Sequence, residues 1–242
     1  MREQNIQMKY VSLQSLGYMI CDVPLNIQEK TKKECVRLIN SNFEDAVPYN
    51  YSLVGNIQHE YNLNCVTEEL NDFLSVAVPE YFKFNHQHEL ANKKFKIQES
   101  DAELLGVGSK NTVMPSVWIN FQQKHEYNPV HCHEGLLSFV YWVKIPYSLD
   151  NELKNPMTAY AFQKRAPAFS YFYSNCIPEM TSENTWGLVG SQIQQHIIPV
   201  DKYHEGKMVI FPAWLQHAVS PFFTSDEFRI SVAGNIGMVK DA

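Results

Sequence analysis

The first ten residues, MREQNIQMKY, lack the apolar core of a secretory leader, and no apolar run in the chain approaches the length that spans a bilayer. The expectation is a cytoplasmic protein without a membrane anchor. Cysteine is scarce and unpatterned: five residues, at 21, 35, 65, 132 and 176, form no Cys-x-x-Cys pair. An odd number without that spacing argues against a disulfide framework and a structural zinc site, and predicts reduced, mostly buried thiols. Basic residues are in the minority, 20 against 26 acidic ones. The net charge of −6 therefore offers no field for a polyanion. The one locally basic stretch, Lys93-Lys94-Phe95-Lys96, reads as a solvated turn, so neither a nucleic acid nor a membrane is an expected partner.

Aromatic residues, at 13% of 242 positions, are plentiful, which suits a barrel lined by large side chains. The length suits one domain over residues 1–242. Its parts are a supporting region of strands and helices at 1–112 and a β core at 113–238 that carries a loop excursion at 147–190. Residues 1–25 read as one or two short strands extending the main sheet. Asn26 and Glu29 suggest a capping box for a helix over 27–41, with Ile27, Cys35, Leu38 and Ile39 as its apolar stripe. A second helix starts near Thr67 and buries Val66, Leu70, Phe73, Leu74, Ala77, Tyr81 and Phe82, with Pro79 kinking or restarting it. Between them Val47–Cys65 shows no period and reads as a solvent-exposed loop, although His59 and Glu60 can also line a pocket entrance. Within the excursion SYFY (170–173) reads as a strand, and the rest serves as a lid or a partner surface. Ser191–Val200 and Lys207–Phe211 are further strands, with a turn at Glu205-Gly206.

The chemistry concentrates at His131-Cys132-His133, within NPVHCHEGLLSFVYWVKI. On a strand, side chains two apart share a face, so the two imidazoles can serve one metal while Cys132 turns away to pack. The third ligand is best sought at His217, in FPAWLQHAVSP. Glu134 competes with His133 for the second position if the strand ends there and the chain turns. His86-Gln87-His88 repeats the spacing in polar, helical or looped surroundings, where residues two apart diverge, and is expected to bind nothing. Val113–Gln122 is strand-like, with Trp118, Asn120 and Gln122 on one face. Facing inward, Asn120 and Gln122 need partners, either a ligand or a side-chain network.

Five elements in register carry a family resemblance. They are Trp118-Ile119-Asn120, Asn128 before His131-Cys132-His133, Ser138–Val143, Phe211–His217 and Arg229-Ile230-Ser231. In this order they resemble a 2-oxoglutarate/iron oxygenase family frequent in marine bacteria and their phages. A fainter likeness extends to the Gly55-Asn56 segment. The resemblance covers about residues 115–237 and implies a mainly β fold with helical additions: a cupin-like double-stranded β-helix (jelly roll) with N-terminal helices packed on its sheet. It also implies Fe(II), 2-oxoglutarate and O2, with decarboxylation to succinate and CO2 and hydroxylation as the usual outcome; it implies no substrate, and the expectation is a peptidyl, nucleotide or small-molecule one. The family's His-x-His replaces the His-x-Asp common in the wider superfamily. Three neutral imidazoles leave the ion at +2, which a 2-oxoglutarate dianion neutralises.

By this resemblance His131, His133 and His217 hold the metal, while Arg229 and Ser231 hold the distal carboxylate, as fork and hydroxyl on one face. Tyr141 either donates to that carboxylate or bonds to backbone. The bland reading of Arg229 is a surface ion pair with Asp226 or Glu227. Three other functions fit parts of the pattern. They are a non-catalytic metal- or ligand-binding jelly roll, a cupin-type metalloenzyme that does not use 2-oxoglutarate, and a structural virion protein. Neither the substrate nor the oligomeric state can be read from the residues. His217→Ala is expected to abolish metal-dependent succinate formation; full succinate production by that variant would contradict the triad.

Overall fold

In a computed structural model that describes residues 7–13, 16–101, 113–160, 167–173 and 195–239, strands β1 (Met8–Leu13) and β2 (Leu16–Asp22) precede helix α1 (Leu25–Asn40). Strand β3 (Glu60–Asn62), helix α2 (Thr67–Phe84) and the single turn α3 (His88–Ala91) follow. Next come β4 (Phe95–Ile97), β5 (Glu99–Asp101), β6 (Val113–Pro115), β7 (Val117–Gln122), β8 (Asn128–His131) and β9 (Leu137–Lys144). After α4 (Leu149–Lys154) and α5 (Pro156–Ala159) the chain adds β10 (Ala168–Phe172), β11 (Gln195–Pro199), β12 (Lys207–Pro212), β13 (Gln216–Val219) and β14 (Arg229–Met238).

From β7 onward the chain passes back and forth between two antiparallel sheets, with β10 and β11 as consecutive strands of the smaller one. The larger has the order β1-β2-β12-β9-β14-β7-β3, with β4 also on β14; the smaller is β11-β10-β13-β8. Because β7, β9, β12 and β14 lie in one sheet and β8, β10, β11 and β13 in the other, the chain winds as a double-stranded β-helix, the expected jelly roll. Strands β5 and β6 form a separate pair. As expected, the amino-terminal strands extend the main sheet, through β2 on β12.

Strand alternation divides the apolar residues into two layers. Val117, Ile119, Phe121, Phe139, Tyr141, Val143, Val232 and Ile236 pack outward with α1 and α2, while Trp142, Phe169, Tyr171, Val209 and Phe211 fill the space between the sheets. Strand β9 is covered on both faces, which explains its unbroken run LSFVYWVK.

Several local expectations are corrected. Helix α1 begins at Leu25 with Pro24 as its cap and no side-chain cap, so Asn26 lies inside the helix and forms no capping box. The Pro24 carbonyl accepts from Ile27 and Gln28 N–H instead. Thr31 fills the gap in its buried stripe by bonding the Ile27 carbonyl, and Ile39 is exposed. Helix α2 starts at Thr67 and runs through Pro79 without a break. Lys96 is exposed between Phe95 and Ile97 on β4, so the basic stretch is partly strand.

The segment Val47–Cys65 is not simply a loop. It contains β3, too short to show a period, which pairs with β7 and buries Glu60. In the excursion, α4, α5 and β10 are ordered elements, and Gly206 turns the chain at φ +80°. Residues 161–166, 174–194 and Cys176 lie outside the described residues, as does the first part of the strand expected at Ser191–Val200. Among the described residues, no helix is long and apolar enough to cross a membrane. Leu74, fully buried between α2 and the sheet, gives a direct test of this packing. Leu74→Ala is expected to cost about 2–5 kcal/mol in denaturant unfolding while leaving metal affinity unchanged.

Candidate metal centre

The pairing of β8 with β13 sets His131 directly opposite His217. Beyond the end of β8 the His133 N–H bonds the Ala213 carbonyl at 2.8 Å, which folds the second imidazole back over the same space. Ring centroids lie 4.2 Å apart for His131 and His217, 4.9 Å for His131 and His133, and 5.0 Å for His133 and His217. One ligand nitrogen from each falls within 4.8 Å of the others, and this is the only such trio of His, Cys, Asp or Glu among the described residues. Glu134 is exposed and outside the trio, and His86 and His88 do not join it. Cys132 is exposed and lines the same cavity as His131 and His133, so its expected packing role does not hold; β8 ends at His131, one residue before it.

Backbone carbonyls orient two of the rings. His131 Nδ1 lies 2.7 Å from the Pro129 carbonyl, and His217 Nδ1 lies 2.9 Å from that of Leu215. A carbonyl only accepts, so each Nδ1 carries the proton and each Nε2 keeps its lone pair for a metal. Burial lowers the pKa of all three; that of His133 falls to about 4, and that of His217 falls well below the usual value, with His131 and His133 adding to the shift. A donor set of unprotonated imidazoles suits iron(II), and equally zinc, copper or nickel.

The anchor residue is also inside. Arg229 is only 3% exposed. It donates from Nε and Nη2 to Gln122 Oε1 at 3.0 and 2.6 Å, from Nη1 to the Tyr147 hydroxyl at 3.1 Å, and from Nη2 to the Ser220 carbonyl at 2.8 Å. Every one of these acceptors is neutral. Asp226 and Glu227, the expected surface partners, pair with Lys124 and Lys144. Gln122, which shares the inner face with Trp118 and Asn120, in turn donates to the Glu126 carbonyl, so its amide is a cradle for the guanidinium. Asn120 Nδ2 donates to Ser231 Oγ at 3.2 Å, leaving the serine proton free to donate elsewhere and Asn120 Oδ1 without a partner.

Tyr141 is not part of the site. Strand parity puts it in the outer layer with Phe139 and Val143, fully buried and with its hydroxyl unpartnered, while Trp142 takes the inner face. The tyrosine that reaches Arg229 is Tyr147, beyond the end of β9, where no periodicity could have singled it out. Asn128 was also missed as an inward residue. The β8–β13 register shifts between His217 and Val219, so Asn128 and His131, three apart, both line one cavity with Trp118 and His133.

A histidine trio in a double-stranded β-helix, with a buried arginine on its last strand, defines a jelly-roll protein with a donor set that could hold a metal ion. The family model described as "Putative 2OG-Fe(II) oxygenase" matches residues 116–235, about half of the chain, and supports its place in the 2OG-Fe(II) oxygenase superfamily. Its members use Fe(II) and 2-oxoglutarate. A solved prolyl-4-hydroxylase from Pseudomonas putida is similar over 99% of this chain and 95% of its own, with 10% identity and a TM-score of 0.44. No curated protein matches the sequence significantly. None of these findings bears on the narrower marine-bacterial and phage grouping.

The histidine shifts set a pH dependence. Above about pH 6.5 neither the folded nor the unfolded chain protonates these rings. As the pH falls toward 4 the unfolded chain takes up protons that the folded site refuses, so the metal-free protein loses stability. Metal-free His133→Gln is expected to lose about 1–2 kcal/mol less than wild type between pH 7 and pH 5 in urea unfolding. Identical losses would contradict the buried, neutral state of His133.

Proposed function

We propose that the chain is an iron(II)- and 2-oxoglutarate-dependent dioxygenase that hydroxylates a small-molecule or peptidyl substrate, with release of succinate and CO2. His131 and His217, each with Nε2 free, and His133 would hold the iron, and Arg229 with Ser231 would hold the distal carboxylate of 2-oxoglutarate. The observation that carries this reading is the burial of Arg229 among neutral acceptors alone. A guanidinium out of water without a counter-charge in contact is costly, and an anionic ligand on its fork removes that cost.

The supporting residues have defined tasks. Gln122, Tyr147 and the Ser220 carbonyl fix the direction of the guanidinium before the ligand arrives. Ser231, held by Asn120, adds a hydroxyl donor two residues along the same strand face. Phe169 and Phe211, with ring centroids 5.5 and 4.8 Å from that of His217, keep water from the inner side of the site. When bound, iron(II) with 2-oxoglutarate and O2 supplies the oxidising chemistry that the side chains lack. The absence of a carboxylate from the trio favours one second reading, a cupin-type metalloenzyme that works without 2-oxoglutarate.

Anaerobic titration with iron(II) and then 2-oxoglutarate separates the two. The weak visible metal-to-ligand charge-transfer band is expected in wild type and is expected to be lost in Arg229→Ala at modest 2-oxoglutarate concentration. Iron binding without any band would overturn the oxygenase reading in favour of the cupin-type one.

A further inference from the structure

Arg229 makes one end of the inner face cationic, and the other end has the opposite character. Glu60 pairs in register with Asn120, so both side chains point to the same side of the sheet. Glu60 is 1% exposed and Asn120 5%, yet Glu60 Oε1 and Asn120 Oδ1 have no hydrogen-bond partner. Asn128 Oδ1 is a third buried oxygen without one. The other Glu60 oxygen receives only a long contact, from Asn50 Nδ2 at 3.5 Å.

Two of these oxygens converge on Gly55, and Asn128 also borders the space lined by His131 and His133. A Cβ on Gly55 would lie 2.2 Å from Asn128 Oδ1 and 3.1 Å from Glu60 Oε1, so the two oxygens are at most about 5.3 Å apart. Only glycine permits that approach. Gly55, Asn128, Trp118, His131 and His133 line one cavity of about 70 Å³. Its wall is aromatic, with Trp118 stacked on Tyr49 at 5.6 Å and 12° and its ring centroid 5.6 Å from that of His133.

Resting on the oxygenase reading, we propose that Glu60, Asn120 and Asn128 form the substrate-selecting subsite, and that it takes a basic nitrogen group, an ammonium or guanidinium. Three unpartnered acceptors repel the 2-oxoglutarate dianion, which belongs at the Arg229 end, so the ligand of this end is the second molecule. A nitrogen about 2.7–2.9 Å from each of two oxygens spans the gap between Glu60 and Asn128. Of the three, Asn128 lines the cavity, while Glu60 meets it across Gly55; the space suits the small head of a basic side chain and is too small for a nucleotide. Burial, with the nearby Glu126 charge, raises the Glu60 carboxyl to about 7, the shift of an acid that lacks its cation.

The test uses the anaerobic protein loaded with iron(II) and 2-oxoglutarate, and lysine- and arginine-centred tripeptides as probes against a glutamine-centred control. At least one basic probe is expected to bind about tenfold or more tighter than the control, and Glu60→Gln should remove that preference. In case the variant fails to fold, carboxyl carbon NMR of wild type gives a second readout: the bound basic probe should lower the Glu60 pKa. The proposal is overturned if wild type shows no basic preference, if folded Glu60→Gln keeps it, or if the Glu60 titration does not move. The last result would mean that Glu60 shares its own proton with Asn128. If the charge-transfer band forms while the preference is absent, only the substrate inference fails; if the band itself is absent, the oxygenase reading falls and this one with it.

Discussion

The pairing of two short strands, β8 and β13, is the constraint on which the site depends. Strand β8 has four residues and lies at the edge of the smaller sheet, hydrogen-bonded to β13 alone. That single ladder places His131 opposite His217, and its irregular register turns Asn128 inward as well. His133 lies outside the ladder and is returned to the site by one backbone bond to Ala213. A slip of one residue would send His131 to the other face, so the winding of the two sheets is also what assembles the metal centre.

The second organising feature is a separation of charge along the inner face of β7. Trp118 stands by the imidazoles, Asn120 follows, and Gln122 cradles Arg229. The register then continues from Asn120 to Glu60 on one side and Ser231 on the other. One sheet face thus offers hydrogen-bond donors and positive charge at one end and bare acceptors at the other. Such a surface can orient two different ligands around one ion without a moving part. The loop from Phe222 to Thr224 is held by the buried Glu152 carboxylate, which receives the Phe223 and Thr224 N–H groups and the threonine hydroxyl. Phe222 lies against the Arg229 guanidinium, so Glu152 supports the anchor from behind.

Much of this was legible in the residues. The run at β9 and the helical stripe of α2 each follow from one period and appear where that period puts them; His131 and His133 do meet, although His133 lies beyond the strand and is returned by its bond to Ala213. The residues leave Tyr141 open between a carboxylate donor and a backbone partner, and its shared parity with Phe139 and Val143 places it in the outer layer. What the residues concealed lies where periods are absent or broken. Tyr147 follows the end of a strand, β3 spans three residues, and the β8–β13 irregularity overrides alternation at Asn128. Glu60 reads as part of an exposed loop, with a pocket entrance as the alternative, because the three residues of β3 that pair it with β7 are too few to show a period. Pro24 displaced the expected capping box at Asn26 because its carbonyl already serves the first helical turn.

The central claim is that the three histidines and Arg229 serve one bound pair, a divalent ion and an anionic cosubstrate. The most direct measurement is an anaerobic crystal structure with manganese(II), as a redox-silent stand-in for iron, and 2-oxoglutarate. The expected result is a single ion bonded to Nε2 of His131, His133 and His217, with one carboxylate of the cosubstrate on the ion and the other on the Arg229 fork. An ion held by Glu134, or a cosubstrate bound away from Arg229, would contradict the claim.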